Sequence, residues 1–336
     1  MSTVEYLNFI SQQVHIYFGL TILILGVIGN ILNVVIFTTL KTFRETACAL
    51  YLTIVSLVNI CQLLIALLIR ILSDGFNMDI RKRSSVCKIY IFVIVWCLLT
   101  SISGLCLATI DQCISMTRYR RLSNLPAARR NVLIICTAWS LYSIWFNRYW
   151  DVSSGDCTII NPKIVIYATR FHFPILIGCL PISIMVTFSL LAYYHARSYI
   201  RQPINIIYLS RDRQLTAMTL IHVLLFIITT LPYVIFYIYS WYRTGQDPTQ
   251  IALHNLLYAI IILIDFVVYG GSFYLYCCVS ERFRKQFIYV LAKLCINPCQ
   301  QWTHTQVVPR MEVLLDGHHA RTRTIHEAIS MPCRTV

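Results

Sequence analysis

Residues 6–40 read YLNFISQQVHIYFGLTILILGVIGNILNVVIFTTL, without a single Asp, Glu, Lys or Arg. The hydrocarbon core of a bilayer takes about 20 predominantly apolar residues per helical crossing, so this run is long enough to span it. Six more follow: 46–69, 89–110, 131–147, 171–196, 214–242 and 248–280. Only the last is interrupted, by Asp265. A charge at the centre of a membrane helix costs about 2.5–3.5 kcal/mol on insertion scales, so the near absence of charge is itself a signal. Seven crossings, an odd number, put the two termini on opposite sides of the bilayer.

Composition agrees. The 336 residues are 57% hydrophobic and 12% charged, against roughly 25% charged in soluble domains, and the mean hydropathy is +0.66. The connectors are too short for a soluble core. Backbone polar groups in lipid need internal partners, and a barrel would show alternation over about ten residues where these runs are continuous. The expectation is an all-α membrane protein, a seven-transmembrane helix bundle with a short amphipathic eighth helix. Its parts are an outer N-tail (1–14), the bundle (15–278), an amphipathic and lipidation segment (279–300) and a disordered inner tail (301–336).

The net charge of +14 would suggest nucleic acid in a soluble chain. Here the basic residues sit in the connectors, so no nucleic-acid partner is expected. With the N-terminus outside, 19 of the 28 Lys and Arg fall on the inner side and nine on the outer. That bias obeys the positive-inside rule, although Arg81-Lys82-Arg83 in the first outer connector violates it locally. The expected location is the plasma membrane, with the C-terminus cytoplasmic. The first run is too long for a cleavable signal and lacks a basic segment before it, so it is expected to act as an uncleaved anchor. No outward Asn opens a glycosylation sequon.

Of 14 cysteines, only Cys87 and Cys157 fall on the outer face. Two cysteines on separate segments in an oxidising compartment favour a disulfide; the alternative is two free thiols. Beyond the seventh run, Phe283 and Phe287 are four apart and share a helical face, with Arg282, Arg284 and Lys285 on the others. This pattern fits a helix lying on the membrane surface. Cys295 and Cys299 follow at a depth suited to palmitoylation, and unmodified thiols fit equally well. Thr303, Thr305, Thr322, Thr324 and Ser330 offer kinase sites in the tail.

Ordered landmarks now accumulate: Gly29-Asn30 in span one, Asp111 24 residues after Cys87, Trp139 in span four, Pro181 in span five, Phe226 and Pro232 in span six, and Tyr276 before the amphipathic helix. Together the chain resembles a rhodopsin-like (class A) G-protein-coupled receptor over residues 15 to about 295, divergent and in texture like invertebrate neuropeptide receptors. The resemblance implies an extracellular ligand, peptide-like by weak preference, a heterotrimeric G protein, membrane lipid and no cofactor or metal. It implies a switch carried by Asp111, Gln112, Cys113, Phe226, Thr230, Pro232 and Tyr276, with span six swinging about Pro232.

The departures concentrate in that switch. Asp-Arg-Tyr reads Asp111-Gln112-Cys113, Asn-Pro-x-x-Tyr reads Ser272-Phe273-Tyr274-Leu275-Tyr276, and the family's Trp of span six is Thr230. Its Asp of span two is Asn59 and its Tyr of span five is Ser189. Gln112 hydrogen-bonds but brings no charge. Asn59 removes the carboxylate that a hard cation wants, so no sodium brake is expected. A receptor-like protein with weak or absent coupling is the alternative.

On the ligand side, the position of the amine-binding Asp is Ile94 and that of the retinal Lys is Phe266, which argues against a monoamine receptor and against light sensing. The remaining candidates are Arg70, Ile94, Tyr233, Tyr237, Tyr258 and Asp265. An intramembrane acid is a functional hypothesis by default; a structural hydrogen bond to a neighbouring helix is the competing account of Asp265. Arg81-Lys82-Arg83 is read as facing Asp151, Asp156 and Asp247. A transporter would carry more buried charges and broken helices. The metalloprotease and serine-hydrolase motifs of membrane enzymes are absent from the sequence.

Overall fold

The computed structural model describes residues 2–117, 119–153, 155–198, 206–242 and 247–296. Met1–Leu294 form one compact unit, and of the second unit, Cys295–Val336, only Cys295 and Ile296 are among the described residues. The expected inner tail with its Thr and Ser sites, and Cys299, therefore lie outside the description.

The chain is a seven-helix membrane bundle followed by an eighth helix. Helix α1 is Thr3–Thr39. It starts at Thr3 where a start near residue 15 was expected, because Ser2 and Glu5 form a reciprocal capping box: the Ser2 N–H donates to Glu5 Oε2 at 2.8 Å and the Glu5 N–H to Ser2 Oγ at 3.3 Å. Both orphan donors are thereby satisfied, and the first residues join the helix. Helix α2 is Ala47–Gly75, α3 Ser84–Ser115 and α4 Leu125–Asn147. A hairpin of β1 (Trp150–Ser153) and β2 (Asp156–Ile159) comes next, in antiparallel register Val152↔Cys157. Its turn uses Gly155 at φ +90°, a conformation that side chains disfavour. Helix α5 begins at Pro162 and reaches Ser198; α6 is Ile206–Tyr242. Helix α7 runs Pro248–Gly270 and resumes over Ser272–Val279, and α8 is Glu281–Ile296.

Two helices are locally widened. In α2, Leu63–Leu67 and Ile71–Gly75 are π-helical, and in α5 so is Ala168–Cys179, which contains Pro174. Proline has no N–H for the ladder, and a wider turn is one way for a helix to absorb that loss.

Among the described residues, six helices are long and apolar enough to cross a membrane. The remaining bundle helix, α4, has 23 residues, about 34 Å at 1.5 Å per residue. Its length suffices, but Arg129, Arg130 and Asn131 in its first turns make it more polar. Large apolar side chains such as Leu133, Leu141, Ile228 and Ile235 are exposed on the helix surfaces, which suits lipid as the surrounding solvent. Where helices meet, small residues set the spacing. A Cβ on Gly26 of α1 would lie 2.9 Å from the Gly270 Cα of α7, a backbone approach that only glycine permits.

Candidate functional site

The bundle has two ends, here called the hairpin end and the α8 end. At the hairpin end Cys87, in the first turn of α3, is disulfide-bonded to Cys157 of β2, with Cα atoms 5.7 Å apart. The bond ties the hairpin to α3. The nearby acids and bases pair differently from the expectation. Arg81 grips Asp79 with two bonds of its fork, 2.8 and 3.1 Å, and lies 3.7 Å from Asp74. Asp74 also takes Arg70 Nη1 at 3.1 Å and lies 3.6 Å from His15 Nε2. Of the three loop acids, Asp151 pairs with Lys88 at 3.3 Å, while Arg81 is held by its own connector, because a bidentate local carboxylate outcompetes a distant one. The Arg81 hydrogen bond holds the Asp79 carboxyl below its ordinary value, and the Ser84 hydroxyl, then the Val152 N–H, does the same for Asp151.

Inward of this rim, helix spacing brings the candidate residues together. On α7, Tyr258, Ile262, Asp265 and Tyr269 are three or four apart and share the inward face. On α6, Phe226, Thr230, Tyr233 and Tyr237 do the same. The Arg70 guanidinium lies over the Tyr258 ring at 5.4 Å. Tyr233 is within electrostatic reach of Tyr258, Tyr237, Asp265 and Arg70, and Tyr237 packs on Phe173 of α5 with ring centroids 3.7 Å apart. Ile94 is half-buried against the core. Asp265, 8% exposed, accepts a hydrogen bond from the Thr230 hydroxyl at 2.9 Å. Asp265 thus makes the helix-to-helix bond that competed with the ligand reading, and also stands among the same tyrosines.

Toward the α8 end, α6 is fastened by uncharged hydrogen bonds. The Thr216 hydroxyl donates to Gln112 Oε1 of α3 at 3.1 Å, and Gln214 Nε2 to Gln286 Oε1 of α8 at 3.0 Å. His222 Nδ1 lies 2.8 Å from the Tyr276 hydroxyl of α7. Tyr276 is 1% exposed and its ring meets Phe37 and Phe283, so α1, α6, α7 and α8 converge on it. Asp111 and Cys113 are buried on either side of Gln112. A polar cavity of about 100 Å³ opens there, lined by Glu45, Asp111, Gln112, Ser115, Arg120 and Ser123 among others. Phe226 is buried one turn inward of Thr230, whereas Pro232 faces outward.

Between the two clusters, the Ser101 hydroxyl donates to Asn59 Oδ1 at 2.6 Å, and Asn33 Nδ2 to Ser272 Oγ at 3.0 Å. Trp139 Nε1 donates to Ser103 Oγ at 2.8 Å, which fixes α4 on α3. Asp74, Gln214, Thr216, His222 and Gln286 were not among the residues singled out by sequence. His222 carried a signal: four residues before Phe226 on a buried stripe, an imidazole in a membrane helix needs a partner. Cys295 lies in the last turns of α8.

Residues 29–274 match the family model described as 7 transmembrane receptor (rhodopsin family). No curated protein matches the chain.

Proposed function

The chain belongs to the rhodopsin family of seven-transmembrane receptors, and we propose that it is a plasma-membrane receptor that passes binding of an extracellular, peptide-like ligand to a heterotrimeric G protein by outward movement of α6. In this reading the hairpin end is extracellular, as the disulfide and the charge bias favour, and the N-terminus lies outside with the C-terminus in the cytosol. The ligand meets Arg70, Ile94, Tyr233, Tyr237, Tyr258 and Asp265. Asp111, Gln112, Cys113, Phe226, Thr230, Pro232 and Tyr276 form the switch, and lipidation at Cys295 or Cys299 would anchor the membrane-lying α8.

The observation that carries this reading is the run of bonds along α6. Thr230 meets α7 beside the tyrosine cluster, while His222, Thr216 and Gln214 meet α7, α3 and α8 further along. A single helix therefore links the proposed ligand chamber with the proposed G-protein face. A ligand that favours the released position shifts the population by its difference in affinity for the two states.

The test is second-messenger output, cAMP and calcium, from cells displaying the chain and challenged with a peptide library across G-protein families. Response to a library member supports the reading. The neutral Gln112, where the family has Arg, favours weak coupling as the second reading. Silence with every G-protein family despite surface delivery selects it.

A further inference from the structure

The cluster of Arg70, Tyr233, Tyr258 and Asp265 toward the hairpin end has a charge polarity that family membership does not supply. Asp265 is its inner pole. Thr230 donates to Oδ1, and Oδ2 has no hydrogen-bond donor among the described residues. Asp265 is 8% exposed, and a carboxylate without its full set of donors at that depth in a membrane bundle is costly. Arg70 is its outer pole. Asp74 accepts from Nη1 alone; a guanidinium has five N–H donors, and the others have no acceptor among the described residues. Asp74 and Tyr258 fix the guanidinium from two sides, and Tyr233 lies within electrostatic reach of both poles.

Spacing sets the size of what fits. The Arg70 guanidinium lies 5.4 Å from the Tyr258 ring, and Tyr258 and Asp265 are two helical turns apart on one face, about 10 Å at 1.5 Å per residue, which sets the order of the separation between the poles. An extended chain covers about 3.3–3.6 Å per residue, so about three residues bridge the poles. Orientation follows from sign. A carboxylate placed at Asp265 meets like charge, whereas an ammonium there supplies the missing donors.

Resting on the receptor reading, we propose that this cluster takes a zwitterionic ligand of about tripeptide length, amino terminus inward, with its ammonium on Asp265 Oδ2 and its carboxylate on the unused fork of Arg70. Tyr233 and Tyr258 flank the segment between.

The test uses the full chain in lipid nanodiscs and one randomised tripeptide library in three forms: free termini, N-acetylated and C-amidated. Retained peptides are quantified by mass spectrometry. Free-termini peptides are expected to be retained at least tenfold over the N-acetylated form and severalfold over the C-amidated form. Asp265→Asn removes the first preference and Arg70→Gln the second. The comparison of three libraries on the unaltered chain needs no variant to fold. Equal retention of the acetylated or amidated form, or retention from no library, overturns the proposal. Basal nucleotide exchange on added G proteins, measured on the same nanodiscs, separates the two readings. Exchange with failed library arms leaves the receptor standing without this ligand, and failure of both arms removes both.

Discussion

His222 Nδ1 of α6 and the Tyr276 hydroxyl of α7 lie 2.8 Å apart, both residues buried. The imidazole tautomer sets which of the two atoms donates. Tyr276→Phe removes the hydroxyl and strands a buried ring nitrogen, at a cost of about 1–3 kcal/mol. If the bond exists only with α6 in this position, its loss also favours release. The expected outcome is a melting midpoint lower by a few degrees together with basal nucleotide exchange raised severalfold per receptor at the surface. Unchanged melting and exchange would show that the contact holds nothing.

The Thr216–Gln112 bond is a neutral fastening between α3 and α6. A neutral hydrogen bond nets about 0.5–1.5 kcal/mol, and one to a charged group about 1.5–3. A double-mutant cycle of Thr216→Val and Gln112→Ala is expected to give a coupling near 1 kcal/mol in thermal stability. Additive single effects would place the two side chains out of contact.

The sequence made the seven helices legible because lipid leaves the chain one strategy: long uncharged runs with internal backbone bonds. Tyr233 and Tyr237 are four apart, so the helical period alone puts them on one face, but period does not say whether that face meets protein or lipid. Pairings were harder to read. Arg81 chose Asp79, two residues away, over the distant loop acids, and Asp74 became the hub of three basic groups. These choices depend on side-chain distances between elements far apart in sequence, which spacing along one helix does not carry. The start of α1 was misjudged for a local reason: the Ser2–Glu5 capping box extends the helix into residues that hydropathy assigns to a tail.

The Gly26–Gly270 approach sets how closely α1 and α7 can pack. A Cβ at either position would sit 2.9 Å from the other residue's Cα, and backbone on both sides cannot yield as a flexible side chain would. Gly270→Val is expected to cost about 1–3 kcal/mol through overpacking and to lower the yield of folded receptor in detergent. Ala at Gly155, which has nothing within 4 Å but φ +90°, is expected to show only the smaller backbone strain. Equal behaviour of Gly270→Val and the native chain in size-exclusion and melting assays would contradict the close crossing.

The Asp79–Arg81 pair predicts the pH response of the connector after α2. The Arg81 bond holds the Asp79 carboxyl below its ordinary 3.8. A depressed carboxyl contributes its stability above the unfolded value, and that contribution is lost as pH falls through the folded value. The Arg81 N–H, which donates to Asp79 Oδ1 at 2.9 Å, should stay equally protected from exchange between about pH 7 and 5 once intrinsic rates are removed. Protection should decline only below 3.8. A loss already near pH 6 would assign the response to a different group, His15 beside Asp74 being the nearest.

The disulfide closes a loop of sequence separation 70. In the chain-entropy picture such a link stabilises by about 4 kcal/mol, an upper figure here because the bilayer already confines α3 and α4. Its second effect is positional. The hairpin hangs from α3 through Cys87, and Lys88, the next residue, meets Asp151 of β1 at 3.3 Å. An exposed ion pair of this kind is screened by solvent and contributes little, so it cannot hold the hairpin alone. Replacing Cys87 and Cys157 together by Ser is therefore expected to lower the melting midpoint by several degrees and to increase hydrogen exchange across Trp150–Ile159. Lys88→Ala alone should leave both nearly unchanged. If the Lys88 variant loosened the hairpin as much as the double serine variant, the ion pair rather than the covalent bond would be what holds the loop.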